Sequence, residues 1–122
     1  MKKKIVLIGS NGFFGKNIIN FFEKKYIIKK IYRKDSIKKI NFKNYHLIIN
    51  AAADVYNEES MFQNNTGLVL DILNKIVKEN RGIRLIHFGS SGEYGAVNKK
   101  SNEGDLIAPR TVYEATKAAA SM

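Results

Sequence analysis

Residues 5–15 read IVLIGSNGFFG. Four consecutive apolar residues, Ile5, Val6, Leu7 and Ile8, run into Gly9, Gly12 and Gly15, three glycines spaced three apart. A short apolar run without alternation reads as a strand buried on both faces, as in a parallel sheet. Glycine lacks a Cβ, so here it lets the chain turn sharply, lets a phosphate approach the backbone, and lets a following helix pack closely on the strand. That helix would aim its first N–H groups and the positive end of its dipole at an anion. Strand, tight turn and helix are expected, an arrangement suited to the pyrophosphate of a dinucleotide. Ordinary tight turns also use glycine, so the spacing alone leaves both readings open.

The rest of the chain repeats the alternation. In residues 13–25, Phe14, Ile18, Phe21 and Phe22 recur at helical spacing, with Lys24 and Lys25 at the end that suits cations. Residues 26–32 read as a second strand ending in Arg33-Lys34-Asp35, and residues 47–49 as a third leading into Asn50-Ala51-Ala52-Ala53. Residues 66–79 carry Leu68, Ile72, Leu73, Ile76 and Val77 at helical spacing, with Gly82 as a stop signal. A further strand, residues 83–88, leads to Gly89-Ser90-Ser91-Gly92; residues 92–109 are loop, and residues 111–122 an Ala-rich helix. The segment 33–46 is short for a helix plus a strand, so any strand at residues 40–42 is abbreviated. Strands alternating with helices predict an α/β fold with a doubly wound parallel sheet, one domain over residues 1–122.

Composition narrows the partners. The chain has 122 residues, 44% of them hydrophobic, enough for a globular core. It has no cysteine, which removes disulfides and thiolate metal sites and fits a reducing, cytoplasmic compartment. No apolar stretch approaches the roughly 20 residues that span a bilayer, so no membrane is expected. The net charge of +10 comes from lysines spread along the chain with no interleaved aromatic stripe, so nucleic acid is not expected as a partner.

Five segments, in order, carry a family resemblance. Gly9-Ser10-Asn11-Gly12-Phe13-Phe14-Gly15 resembles the G-x-x-G-F-x-G fingerprint of the extended short-chain dehydrogenases/reductases, the NAD-dependent epimerase/dehydratase family acting on nucleotide sugars. HLIINAAA (46–53) resembles that family's strand and cofactor-lining loop, and NTGLVLDIL (65–73) the helix supplying its structural Asn, here Asn65. IHFGSSGEYG (86–95) resembles the segment with the active-site Ser or Thr, and PRTVYEATK (109–117) the P-x-x-x-Y-x-x-x-K segment with the catalytic Tyr and Lys. The resemblance implies a Rossmann-like fold and assigns Gly9, Asn11, Gly12, Phe13, Phe14, Gly15, Arg33, Ala51, Ala52 and Ala53 to the cofactor. It assigns Ser90, Tyr113 and Lys117 to catalysis, the last two also touching cofactor. It further implies homodimers among full-length relatives, later strands and a substrate lobe, so the chain is expected to be an amino-terminal part that does not turn over nucleotide sugars alone.

The residue chemistry agrees with these roles without requiring them. Tyr113 and Lys117, four apart, share a helix face, and an ammonium stabilises a phenolate whose ordinary pKa is near 10. An amphipathic helix with a half-buried Tyr and a solvated Lys would show the same spacing. Ser90 can donate to a reacting oxygen or merely close a turn. In the family's dehydratases two acids follow that Ser or Thr; here Ser91 and Gly92 follow, so epimerase or reductase chemistry is expected instead. Arg33-Lys34 suits the 2′-phosphate of NADP but reads equally as a solvated basic turn in a Lys-rich chain, and Asp35 keeps NAD open. His46 and His87 adjoin strands and are read as packing residues, so no metal is expected. The expected function is an NAD(P)-dependent nucleotide-sugar epimerase or reductase of cell-surface polysaccharide biosynthesis, the alternative a non-catalytic NAD(P)-binding module or inactive fragment.

Overall fold

A computed structural model describes residues 1–122. Two compact units divide the chain: Met1–Ala52 with Val69–Phe88, and Ala53–Leu68 with Gly89–Met122.

The first unit holds a four-stranded sheet of β1 (Lys4–Ile8), β2 (Ile27–Ile31), β3 (Leu47–Asn50) and β4 (Arg84–His87), in the order β2-β1-β3-β4. Every pairing is parallel, with Val6 opposite Lys29 on one side and Ile48 on the other. The α/β, Rossmann-like reading is met. Val6, Leu7 and Ile8 are all buried, as a central strand covered on both faces requires. The edge strand β2 has only Ile31 buried, and β4 forms the other edge.

Helix α1 (Phe13–Phe22) packs Ile18 and Ile19 against Ile5, Leu7 and Ile49. Its rotation is set by Gly15 rather than by the phenylalanines. A Cβ on Gly15 would lie 2.1 Å from the Gly9 carbonyl oxygen, so this face must press on the turn, and the inward stripe runs through residues 15, 18 and 19. Phe21, expected inside, is consequently 78% exposed. Phe14 lies across Phe88, ring centroids 4.8 Å apart.

The stretch at residues 40–42 forms no strand. Phe42 there is fully buried: its N–H donates to Glu79 Oε2 at 2.8 Å, its carbonyl accepts from Asn80 Nδ2, and Lys75 Nζ sits 5.3 Å from its ring centroid. Glu79 and Lys75 pair at 2.7 Å, holding the Glu79 carboxyl below its ordinary range. These contacts come from α3 (Leu68–Glu79) and the residue just beyond it. Truncating a buried Phe to Ala costs about 3–5 kcal/mol, so the pinned segment stabilises the unit substantially.

The second unit is built from α2 (Glu58–Met61), a π-helical turn (Phe62–Gly67), a 3₁₀ turn (Ser91–Tyr94) and α4 (Val112–Ser121). Helix α4 packs on the other three. Its start is fixed by a capping box: Thr111 Oγ1 accepts from the Glu114 N–H at 3.1 Å, and Glu114 Oε2 accepts from the Thr111 N–H at 3.3 Å.

Candidate functional site: a glycine turn and a buried Lys helix

In the first unit the three glycines prove to be three different things. Gly9 has φ +82°, and a Cβ there would lie 2.6 Å from the Ala52 backbone nitrogen. Gly15, as above, is required by close packing. The fold itself demands glycine at both places. Gly12 differs: its φ of −77° suits any residue, and a Cβ would meet only the Gly9 carbonyl oxygen, at an ordinary 3.5 Å. Neither close packing nor backbone conformation requires a glycine there.

Gly12 is also the N-cap of α1, and no side chain caps that end. The first N–H groups of a helix have no partner within it, and this uncapped end can therefore present them to an anion. Asn11, Gly12, Phe13 and Phe14 are exposed, Phe13 at 77%. The turn is held from behind by Ser10, buried, whose hydroxyl donates to the Leu7 carbonyl at 2.8 Å and accepts the Ile31 N–H at 3.0 Å. The Gly9 and Ser10 N–H groups both donate to the Ile31 carbonyl.

After β2, Arg33 is exposed in the turn that follows. Asp35 closes this turn, its Oδ2 accepting the Tyr32 N–H at 2.9 Å, so one carboxylate oxygen is already engaged. After β3, Ala51 and Ala52 are half-buried. Asn50, buried, fixes their direction: its Oδ1 accepts the Ala52 N–H, and its Nδ2 lies 3.2 Å from His87 Nδ1. His46 Nδ1 accepts the Lys4 N–H. No group of three His, Cys, Asp or Glu residues is placed to hold a metal ion.

The second unit contains Ala53, exposed, together with Ser90, Tyr113 and Lys117. Tyr113 is half-buried on α4, and Lys117, one turn on, is 2% exposed. A solvated lysine is thus not what this helix carries. Burial pushes the Lys117 pKa down, against the opposing pull of the Glu93 charge. Ser90 is the N-cap of the 3₁₀ turn, its Oγ accepting the Gly92 N–H at 3.2 Å, which leaves the hydroxyl proton able to donate elsewhere.

Several polar residues around α4 were not singled out from the sequence. Thr66 Oγ1 donates to the Thr116 carbonyl at 2.8 Å, and Asn65, which was, donates to Thr116 Oγ1 at 3.0 Å and to the Asp54 carbonyl. Asp54 accepts from the Ser60 hydroxyl and the Asn64 amide, and these bonds hold its carboxyl well below the usual carboxylate range. Glu93, 8% exposed, accepts the Ser90 N–H and the Ser121 hydroxyl. Only the capping signals T-x-x-E at residue 111 and S-x-x-E at residue 90 were readable in advance.

The chain belongs to the NAD dependent epimerase/dehydratase family, whose sequence pattern matches residues 5–122. The fold resembles UDP-glucuronic acid 4-epimerase from Bacillus cereus in complex with NAD, TM-score 0.83 at 16% identity, over 97% of this chain and 50% of that one. It also resembles UDP-N-acetylglucosamine 4-epimerase from Methanobrevibacter ruminantium, TM-score 0.82 at 22% identity, over 98% of this chain and 49% of that one. A third is dTDP-4-dehydrorhamnose reductase from Bacillus anthracis in complex with NADP, TM-score 0.80 at 19% identity, over 99% and 48% respectively. At such identities the likeness is one of fold. The chain spans about half the length of these structures. No curated protein matches it in sequence, and no helix is long and apolar enough to cross a membrane.

Proposed function

We propose that residues 1–122 form the cofactor-binding part of an NAD(P)-dependent nucleotide-sugar epimerase or reductase, a cytoplasmic enzyme of polysaccharide sugar supply. The observation that carries this reading is Gly12, a glycine that the chain's own packing leaves unexplained, at the uncapped start of α1. A pyrophosphate laid against that backbone accounts for the missing side chain, and the free N–H groups are its donors. Gly9 and Gly15 shape the turn, Asn11, Phe13 and Phe14 border it, and Ala51, Ala52 and Ala53 line the loop after β3. Arg33 would meet a 2′-phosphate. With half of Asp35 committed to its own turn, NADP is the preferred cofactor.

The bound nicotinamide supplies hydride transfer. Tyr113 exchanges a proton at its phenolic oxygen with the sugar hydroxyl or carbonyl. Lys117, buried and one helical turn away, stabilises the phenolate form and holds the nicotinamide ribose. Ser90 donates its hydroxyl proton to the reacting oxygen as charge develops there. Ser91 and Gly92 supply no carboxyl group to expel water, so the reaction ends at epimerisation or ketone reduction rather than dehydration.

The test is calorimetric titration of the folded chain with NADP and with NAD, then hydride exchange between labelled NADPH and a panel of UDP- and dTDP-sugars in the longest natural form containing this segment. Binding of NADP in preference to NAD, with exchange into at least one sugar, is expected. A folded chain that binds neither cofactor contradicts the reading.

A further inference from the structure

We propose that Glu93 is a positioning residue for this set, its carboxylate acting as a charged group, not a neutral cap, that fixes the backbone of Ser90 and ties the 3₁₀ turn to the last turn of α4. The proposal rests on the roles given above to Ser90, Tyr113 and Lys117.

The geometry is that of a hub. Glu93 Oε1 accepts the Ser90 N–H at 2.9 Å and the Ser121 hydroxyl at 2.9 Å, so one oxygen joins the 3₁₀ turn to the last turn of α4. The Glu93 N–H donates to the Ser90 carbonyl at 3.1 Å, and the Glu93 carbonyl accepts the Ala108 N–H at 3.0 Å. Ser90 is therefore held at both its N–H and its carbonyl by one residue. Its own Oγ is aimed by the Gly92 N–H, so the direction of the remaining hydroxyl proton depends on a backbone that Glu93 fixes. Gly89 makes room: a Cβ there would lie 2.9 Å from Glu93 Oε1 and 3.2 Å from Ser121 Oγ.

A carboxylate 8% exposed is costly to bury unless it is hydrogen-bonded and countered by charge. Lys117, 2% exposed, lies in the same unit, and the Glu93 charge favours its ammonium form. The other acids near α4 are differently disposed. Glu58 and Glu59 on α2 are exposed, Glu114 on α4 is tied to the Arg110 and Thr111 N–H groups, and Asp54 is occupied by Ser60 and Asn64. A residue serving only as a turn cap would lose nothing as Gln, whose side-chain oxygen accepts the same two hydrogen bonds. The charge is what a Gln removes.

The experiment uses the isotopically labelled chain, with Glu93→Gln and Glu93→Ala. Lys117 is followed by the pH titration of its Cε and Nζ resonances, assigned through Lys117→Arg, and Ser90 by amide hydrogen exchange. In Glu93→Gln the Lys117 titration is expected at lower pH than in the parent chain, with the Ser90 amide still protected. In Glu93→Ala the Ser90 amide should exchange faster by about tenfold or more. Where Glu93→Ala does not fold, the Gln variant carries the test. An unmoved Lys117 titration in folded Glu93→Gln, or an unchanged Ser90 amide in folded Glu93→Ala, overturns the proposal. Neither readout involves turnover, so failure of the catalytic reading appears separately, as retained hydride exchange in Tyr113→Phe.

Discussion

The Thr66 hydroxyl donates to the main-chain carbonyl of Thr116 at 2.8 Å, joining residues 50 positions apart within the second unit. Beside it Asn65 bonds the Thr116 hydroxyl and, through Oδ1 and Nδ2, both polar groups of the Asp54 backbone. The helix bearing Tyr113 and Lys117 is thus seated by hydrogen bonds. Thr66→Val keeps the shape and deletes one bond, which should cost about 1 kcal/mol. Asn65→Leu strands several buried polar groups and should cost about 2–4 kcal/mol. Urea unfolding followed by circular dichroism measures both.

Asp54 makes stability depend on acid. Its folded pKa lies below the unfolded value because the Ser60 hydroxyl, and then the Asn64 amide, hydrogen-bond the charged form. The unfolded chain therefore takes up a proton first as pH falls, and the contribution present at neutral pH is lost below about pH 4. Melting temperatures from pH 7 to pH 3 should fall less steeply in Asp54→Asn than in the parent chain. Equal slopes would remove Asp54 from the account.

On the proposed reading, cofactor choice falls to Arg33. Arg33→Ala should weaken NADP binding and leave NAD binding nearly unchanged, with a larger effect at low salt, where screening is weaker. Parallel titrations at two ionic strengths measure this, and equal loss for both cofactors would give Arg33 a purely structural role.

On the same reading, Tyr113→Phe in the longest natural form containing this segment should keep cofactor affinity and lower turnover by roughly 10² to 10⁴, the usual contribution of a general acid or base. Single-turnover hydride transfer to the sugar is the measurement.

How far the sequence reveals all this depends on the range of the interactions. The strands were legible because their apolar runs are local, and the first turn because its glycines are adjacent to them. The rotation of α1 was not: apolar spacing favoured Phe14, Ile18, Phe21 and Phe22, whereas Gly15 pressing on Gly9 turned Phe21 to solvent. The π-helical turn at Phe62–Gly67 has no periodic signature, yet it carries Asn65 and Thr66 to α4. Tyr113 and Lys117 were legible as a spaced pair, but the burial of Lys117 is tertiary. Glu93 has only the local S-x-x-E capping signal; its bond to Ser121 spans 28 residues, beyond any local pattern.

The central claim is that Gly12 is glycine for the sake of a ligand. A Cβ at Gly12 meets no close contact within the chain and needs no unusual φ, so the melting temperature of Gly12→Val should match the parent's, unlike Gly9→Val or Gly15→Val, which should unfold. The decisive measurement is calorimetric NADP affinity of folded Gly12→Val beside the parent chain. The account predicts at least a tenfold loss, about 1.4 kcal/mol, with the fold intact. Undiminished affinity in the folded variant would contradict it.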